Sequence, residues 1–384
     1  MDIIIYGMGG VAHEFKEWIK CYNQLKRVHI RIVGFTDSYV KSTKNQREGN
    51  VVSVDDLKYL KSDYIVIASR FLDEICTVLE NKNIDMEKVI ASTNFYPEGN
   101  ERNIGQLINA FYLERVQTND EELKKSIQDY MNGKYFIDVL GRRRFVGNQE
   151  AIRELEQDVT IYKDFEWDLK YVIWEGKKIY YPCQWDEKQI REYHLFNVYT
   201  CMNTKSSHRY LTDSFTVKEG DVVADIGAAE GLFLLSVIEK VKKAYVFEID
   251  DIWYRPLQAT FSKYKKKVVI EHGFVSNIDW EDQITLDKYF STREINLIKM
   301  DIEGAEQKVL LASKTLLKRE NLKWVIASYH KPEDAIFLDT FMKQMGYRTE
   351  TAEQYLWIDQ WEFGCQPFGE FRKAMIHAYR ESEV

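Results

Sequence analysis

The sequence has few cysteines, and they form no pattern. Its five, Cys21, Cys76, Cys183, Cys201 and Cys365, are scattered and odd in number. No two stand close, which argues against a zinc knuckle or a C-x-x-C redox centre and fits reduced thiols in a cytoplasm. No apolar run approaches the roughly eighteen residues of a membrane span. No basic leader precedes the first apolar stretch, Met1-Asp-Ile-Ile-Ile-Tyr6, so no secretory signal is expected and the expected location is cytoplasmic. Positive charge is not in excess either: 53 Lys and Arg against 61 Asp and Glu leave a net charge of −8. A nucleic-acid partner needs a basic face, so none is expected.

What remains is a globular composition, 45% apolar and 30% charged over 384 residues. That is long for one compact domain, and two or three domains are the expectation. The most telling stretch is Asp221-Val-Val-Ala-Asp225-Ile-Gly227-Ala228-Ala229-Glu230-Gly231. An apolar strand ends on a carboxylate, a turn of small residues follows, and residues 232–241 read as a helix. A second strand, 244–247, ends on Glu248 about twenty residues after the first glycine. Such a unit holds a nucleoside cofactor: glycines let the backbone approach it, and the acid at the second strand tip takes a ribose hydroxyl. The carboxylate of Asp225 before the first glycine is the arrangement of S-adenosylmethionine sites.

A second unit, Lys299-Met-Asp301-Ile-Glu303-Gly304-Ala305-Glu306, again runs from strand through an acidic turn to a helix. With Thr285-Leu-Asp287 upstream and Ser328-Tyr-His330 downstream, it resembles the FkbM-type methyltransferases over residues 215–347. The resemblance implies a class I methyltransferase fold. It also implies methyl transfer from S-adenosyl-L-methionine to a hydroxyl of a sugar, glycoconjugate or polyketide-like product. One departure is Ala229, where the family often has asparagine.

Ligands of open α/β sheets sit at the carboxyl ends of the strands. On that rule Asp225 is expected to orient the turn or reach the methionine ammonium. Gly227, Ala228 and Gly231 offer backbone, Glu248 takes the ribose, Ser276 lies near the adenine edge, and Asp301 lies at the tip of a neighbouring strand. Asp301 and His330 end adjacent strands and are the candidate bases, with Glu303 beside them. Glu303 and Glu306 at a helix start also suit the helix dipole. Asp301, Glu303 and His330 could alternatively hold a divalent cation; metal-free catalysis is preferred.

The N-terminal stretch carries its own signature. Residues 2–6 read as a buried strand, Gly7-Met-Gly9-Gly10-Val-Ala12 as a G-x-G-x-x-A turn, and 13–22 as a helix with Phe15, Trp18 and Ile19 on one face. Strands at 30–35, 64–68 and 89–91 and a helix at 72–81 complete a parallel-sheet pattern. It resembles the small Rossmann-like domains that precede some sugar-modifying enzymes. Gly7, Gly9, Gly10 and Asp37 are its nucleotide candidates, though a lone glycine motif also serves helix–strand packing.

Between these parts, helices are expected at 104–112 and 121–131. An aromatic hairpin is expected at 171–174 and 178–181 with its turn at Gly176 and Lys177. Its aromatics could stack on sugar rings or fill a core. Tyr193, His194 and Tyr210 could line an acceptor pocket. The basic runs 142–144 and 263–267 could meet a phosphate-bearing acceptor, but such runs are usually solvated. Strands at 222–225, 244–248, 268–272, 297–300 and 324–328, with a late hairpin at 348–351 and 356–359, complete the C-terminal sheet.

The expected fold class is therefore α/β: two Rossmann-like doubly wound domains, 1–99 and 215–384, joined by a helical and aromatic β-rich region, 100–214. The expected partner is a small-molecule or glycoconjugate hydroxyl acceptor, and an oligomer is compatible with the sequence. The rival readings are an NAD or nucleotide-sugar enzyme run from the N-terminal turn, and a non-catalytic cofactor-binding module.

Overall fold

The computed structural model describes residues 1–26, 30–38, 43–45, 49–69, 71–91, 120–131, 136–137, 143–144, 159–203, 206–280, 283–358 and 370–380. The chain divides into two compact units, one of Met1–Asn119 with Asp359–Glu370, the other of Asp120–Ile358 with Phe371–Val384.

In the first unit, strands β1 (Asp2–Tyr6), β2 (Arg31–Thr36), β3 (Thr43–Asn45), β4 (Gly49–Val51), β5 (Tyr64–Ile67) and β6 (Val89–Ala91) form one sheet in the order β3-β4-β2-β1-β5-β6. All neighbours are parallel except β3 with β4. The alternation along β1 explains the layers. Ile3 and Ile5 point to one face and pack with Phe15 and Ile19 of helix Gly10–Lys26. Ile4 and Tyr6 point to the other and pack with Ile75 and Leu79 of helix Leu72–Asn81. A strand buried on both faces needs apolar residues at every position, which is why the run reads as continuous rather than alternating. The first helix begins three residues earlier than the sequence pattern suggested.

The second unit opens with helix Glu121–Met131, as expected, and a two-residue ribbon of β7 (Phe136–Ile137) and β8 (Arg143–Arg144). The expected helix at 104–112, and Arg142, lie outside the described residues. Strands β9 (Ile161–Asp164), β10 (Leu169–Trp174) and β11 (Lys177–Tyr181) form an antiparallel meander. The hairpin turn falls on Glu175 and Gly176, one residue earlier than expected. Both have positive φ, 45° and 75°, as a two-residue turn of the primed kind requires. Tyr180 and Tyr181 are buried, whereas Tyr162 and Phe165 are exposed. Helix Glu187–Asn197 follows and runs into a π-turn, Val198–Met202.

The main sheet contains β12 (Val222–Ile226), β13 (Lys243–Glu248), β14 (Val268–His272), β17 (Leu297–Met300), β18 (Lys323–Ala327), β19 (Arg348–Thr351) and β22 (Met375–Tyr379), in the order β14-β13-β12-β17-β18-β22-β19. Short pairs β15 (Phe274–Val275) with β16 (Gln283–Ile284), and β20 (Leu356–Ile358) with β21 (Glu370–Arg372), stand outside it. The sheet is parallel from β14 to β18; β22 is antiparallel to both its neighbours. The late hairpin is therefore corrected: Arg348–Thr351 pairs with Met375–Tyr379 rather than with its sequence neighbour. The reason is burial. Met375, Ile376 and Ala378 are fully buried and demand a central place, while Arg348–Thr351 is polar and suits the edge.

From β12 the chain winds first towards β13 and β14, then crosses back to β17 on the other side. This reversal opens a crevice at the carboxyl ends of β12 and β17, where open α/β sheets bind ligands.

Candidate active site

The turn after β12 is dictated by crowding. Gly227 has φ +72°, and a Cβ there would lie 1.9 Å from the Asp301 carbonyl oxygen. Only glycine fits so close an approach of two backbones. Ala229 and Gly231 are also left-handed, at φ +46° and +79°. This accounts for the asparagine common at position 229 in the resembled family, since asparagine tolerates that conformation better than alanine. Ala228 and Ser276 are buried. Glu248, at the tip of β13, fastens the turn: Oε2 accepts from Ala229 N at 2.8 Å, and Oε1 from Ile249 N and Asp250 N at 2.8 and 2.9 Å.

Asp225 lies beneath the turn, with none of its surface exposed. Lys299 Nζ stands 3.0 Å from its Oδ1 and also donates to the Gly227 carbonyl. Burial alone would lower the Lys299 pKa, but the Asp225 and Asp301 carboxylates outweigh it and hold the ammonium above its ordinary value. Of the two roles expected for Asp225, orienting the turn matches this position.

Asp301 and His330 meet because β17 and β18 are neighbours, with Met300 in register with Ile326. His330 Nε2 lies 3.4 Å from Asp301 Oδ1. Tyr210 donates to Asp301 Oδ2 at 2.8 Å and Tyr329 to Oδ1 at 3.2 Å, while His208 Nε2 stands 3.6 Å from Oδ2. Burial would raise the Asp301 pKa, yet His330, Lys299, His208 and the Tyr210 hydroxyl bring it below the ordinary carboxylate value. Burial pushes His208 down to about 4, so that ring is neutral near pH 7.

On the other side of His330, Nδ1 lies 2.9 Å from Glu306 Oε1. Glu306 is fully buried and also accepts from Ile302 N. Beyond the helix-dipole reading, it faces the imidazole. Burial would lower the His330 pKa, but the Glu306 hydrogen bond and the nearby carboxylates raise it. Glu303 Oε2 stands 3.6 Å from Nε2 on a side chain that is 78% exposed, so it reaches the histidine from the solvent rim. Ligand atoms of Asp301, Glu306 and His330 lie within 4.8 Å of one another, close enough for a metal ion. The ring splits that set: Nδ1 faces Glu306, and Nε2 faces Asp301 and Glu303.

The sequence pattern did not single out Lys299, His208, Tyr329 or Glu230. Lys299 sat inside the quoted motif, and its signal was a lysine in a buried strand, which requires a partner. Glu230 is buried and accepts from Tyr193 at 3.1 Å. Tyr193 packs against Trp185 and Trp253, and His194 lies against Tyr181 Oη at 2.8 Å.

Asp225, Glu230, Glu248, Asp301 and Glu306 supply five carboxylates against one fixed cation, Lys299, with His330 a second when it is protonated. Carboxylate stays in excess even with Glu230 protonated. Such a crevice repels a diphosphate and suits a cation.

In the first unit, Gly7 has φ +122°, and a Cβ there would meet the Ala68 carbonyl oxygen at 2.6 Å. The fold itself requires it. Gly9 and Gly10 have open space where a Cβ would stand, and Asp37 lies just past the tip of β2, partly exposed.

Residues 261–349 match the model of the methyltransferase FkbM domain. The chain carries an FkbM-type methyltransferase domain. It is a methyltransferase, with a C2185-like N-terminal domain at residues 1–90. The FkbM match includes Asp301, Glu303, Glu306 and His330; the glycine turn and Glu248 precede it. Among solved structures, the chain is similar to the methyltransferase FkbM of Methylobacillus flagellatus at 13% identity and a TM-score of 0.38, covering 98% of this chain and 90% of that one. It is also similar to a precorrin-6y C5,15-methyltransferase of Geobacter metallireducens, at 11% identity and a TM-score of 0.30 over 43% of this chain and 82% of that one. An rRNA methylase of Streptococcus thermophilus gives 13% identity and a TM-score of 0.29 over 43% and 90%. At such TM-scores the likenesses do not bear on the chemistry. No curated protein matches the chain.

Proposed function

We propose that this FkbM-type methyltransferase uses S-adenosyl-L-methionine to methylate a hydroxyl of a sugar or glycoconjugate. The observation that carries the reading is the buried Glu306–His330–Asp301 array at the crevice between β12 and β17. S-adenosylmethionine supplies a methyl group on a sulfonium, whose leaving group is already excellent. Much of the rate can then come from alignment, about 7–11 kcal/mol in well-oriented systems.

The residues divide the remaining work. Glu248 accepts the ribose hydroxyls, and the backbone of Gly227, Ala228 and Gly231 admits the ligand closely. Ser276 lies by the adenine edge. Glu306 fixes a proton on His330 Nδ1, which leaves Nε2 as the lone-pair nitrogen towards Asp301. Nε2 takes the proton of the acceptor hydroxyl, and the Asp301 carboxylate stabilises the imidazolium that forms. Glu303 stands at the rim, where an acceptor hydroxyl would enter. The acidic crevice supports an uncharged acceptor group at the point of transfer.

The test is methyl transfer from labelled S-adenosylmethionine to a panel of free sugars, nucleotide-sugars and glycolipids, with wild type and His330→Ala. The reading requires product from a hydroxyl acceptor and a loss of at least about a hundredfold in His330→Ala, the lower range of general-base catalysis. Transfer only to nitrogen or carbon acceptors would contradict it.

A further inference from the structure

Asp225 was expected to orient the turn or reach the methionine ammonium, but its carboxylate is buried under the turn and already paired with Lys299. The same turn holds a second acid. We propose that Glu230, held by Tyr193, receives the α-ammonium of the cofactor's methionine. This rests on the reading of the domain as S-adenosylmethionine-dependent.

Glu230 lies between two left-handed residues, Ala229 and Gly231, in the turn that carries the backbone approach to the cofactor. It is 6% exposed, and its Oε2 accepts a hydrogen bond from the neutral Tyr193 hydroxyl. Among the described residues, no cation lies within 4.0 Å of its carboxylate. A carboxylate taken out of water without a cation is costly. The surrounding elements do not supply one at contact. Tyr193 faces it from helix Glu187–Asn197, Tyr181 from β11 and Cys201 from the π-turn, all neutral and all with pKa values raised by burial. Asp225 and Lys299 face it from β12 and β17, but that lysine is in contact with Asp225 and the Gly227 carbonyl. The buried Cys201 feels the charge of both Glu230 and Asp301, so the two acids lie on either side of that thiol's surroundings rather than beside a cation. The group this arrangement lacks is one compact cation with several donors, which is an ammonium.

Burial pushes Glu230 up to about 7, against the turn's backbone and the Tyr193 hydroxyl. An arriving ammonium favours the carboxylate, so binding below pH 7 should expel a proton.

The test compares S-adenosylhomocysteine with its analogue lacking only the α-amino group, by calorimetry on wild type, Glu230→Gln and Tyr193→Phe. Wild type should prefer S-adenosylhomocysteine by about ten- to a hundredfold, the range of hydrogen bonds to charged groups. Glu230→Gln should bind both ligands within about threefold of each other, and Tyr193→Phe should fall between. In buffers of different ionisation enthalpy at pH 6, wild type should release a proton on binding S-adenosylhomocysteine and Glu230→Gln should not. Unchanged preference in Glu230→Gln overturns this assignment alone. No binding of S-adenosylhomocysteine to wild type overturns the cofactor reading and the assignment with it.

Discussion

Lys299 Nζ stands 3.0 Å from Asp225 Oδ1, and the same ammonium reaches the carbonyl of Gly227. One lysine from β17 thus ties the tip of β12 to the turn that follows it. The two side chains are 3% and 0% exposed, so each depends on the other to remain charged in the interior.

Lys299→Met should therefore destabilise the protein strongly, because it strands Asp225 without a cation. Removing one partner of a buried pair costs about 3–5 kcal/mol. Urea unfolding of the variant measures it, and a loss under about 1 kcal/mol would mean the pair is not formed.

Gly227→Ala should disrupt the C-terminal domain. Its Cβ would fall 1.9 Å from the Asp301 carbonyl oxygen, at a backbone angle that L-residues rarely adopt. Gly9→Ala in the first unit has open space at its Cβ and should leave folding nearly unchanged. Thermal melts of the two variants should differ clearly; equal melting temperatures would contradict the close approach of the strands.

His330 gives a pH dependence with a definite sign. Its folded pKa lies above the ordinary 6.5, through Glu306, Asp301 and Glu303 overcoming burial. The stability it contributes is present in full below 6.5 and is lost as pH rises through the folded value. As a base it must be neutral, so kcat/KM should rise with pH through that same value. In Glu306→Gln, an NMR titration of His330 should move to lower pH. A titration unmoved by that substitution would remove Glu306 from its role.

Glu230 shifts stability in the same direction, but as an acid that burial holds protonated. Its folded pKa of about 7 stands above the ordinary 4.5, so the folded state binds more protons between these values and stability falls as pH rises. At about 1.4 kcal/mol per pH unit the cost at pH 8 is at most about 3.5 kcal/mol. Glu230→Gln should melt higher than wild type at pH 8 and nearly equal to it at pH 4. A variant less stable than wild type at pH 8 would show that the buried charge is compensated.

Much of this was legible in the sequence because strand tips carry the chemistry. The pattern Asp225–Gly227–Gly231, the acid at Glu248, and the adjacency of Asp301 and His330 all follow from apolar runs ending on polar residues. What was not legible came from segments without a period. His208 belongs to an irregular stretch before β12, and although Tyr210 beside it was a pocket candidate, only the tertiary fold brings the two to Asp301. Glu306 had an adequate local explanation as a helix-start acid, which concealed its contact with His330. The late hairpin does not form because the largely buried Met375–Tyr379 has a stronger claim on the sheet than the sequence neighbour of Arg348–Thr351.

The central claim is that the crevice at β12, β13 and β17 binds S-adenosylmethionine. Its most direct test is calorimetric titration of wild type and Glu248→Ala with S-adenosylhomocysteine, with NAD titrated alongside. Wild type should bind S-adenosylhomocysteine, and Glu248→Ala should weaken that binding by about ten- to a hundredfold, from the loss of charged hydrogen bonds to the ribose. Failure of wild type to bind S-adenosylhomocysteine, or an affinity that Glu248→Ala leaves unchanged, would contradict it.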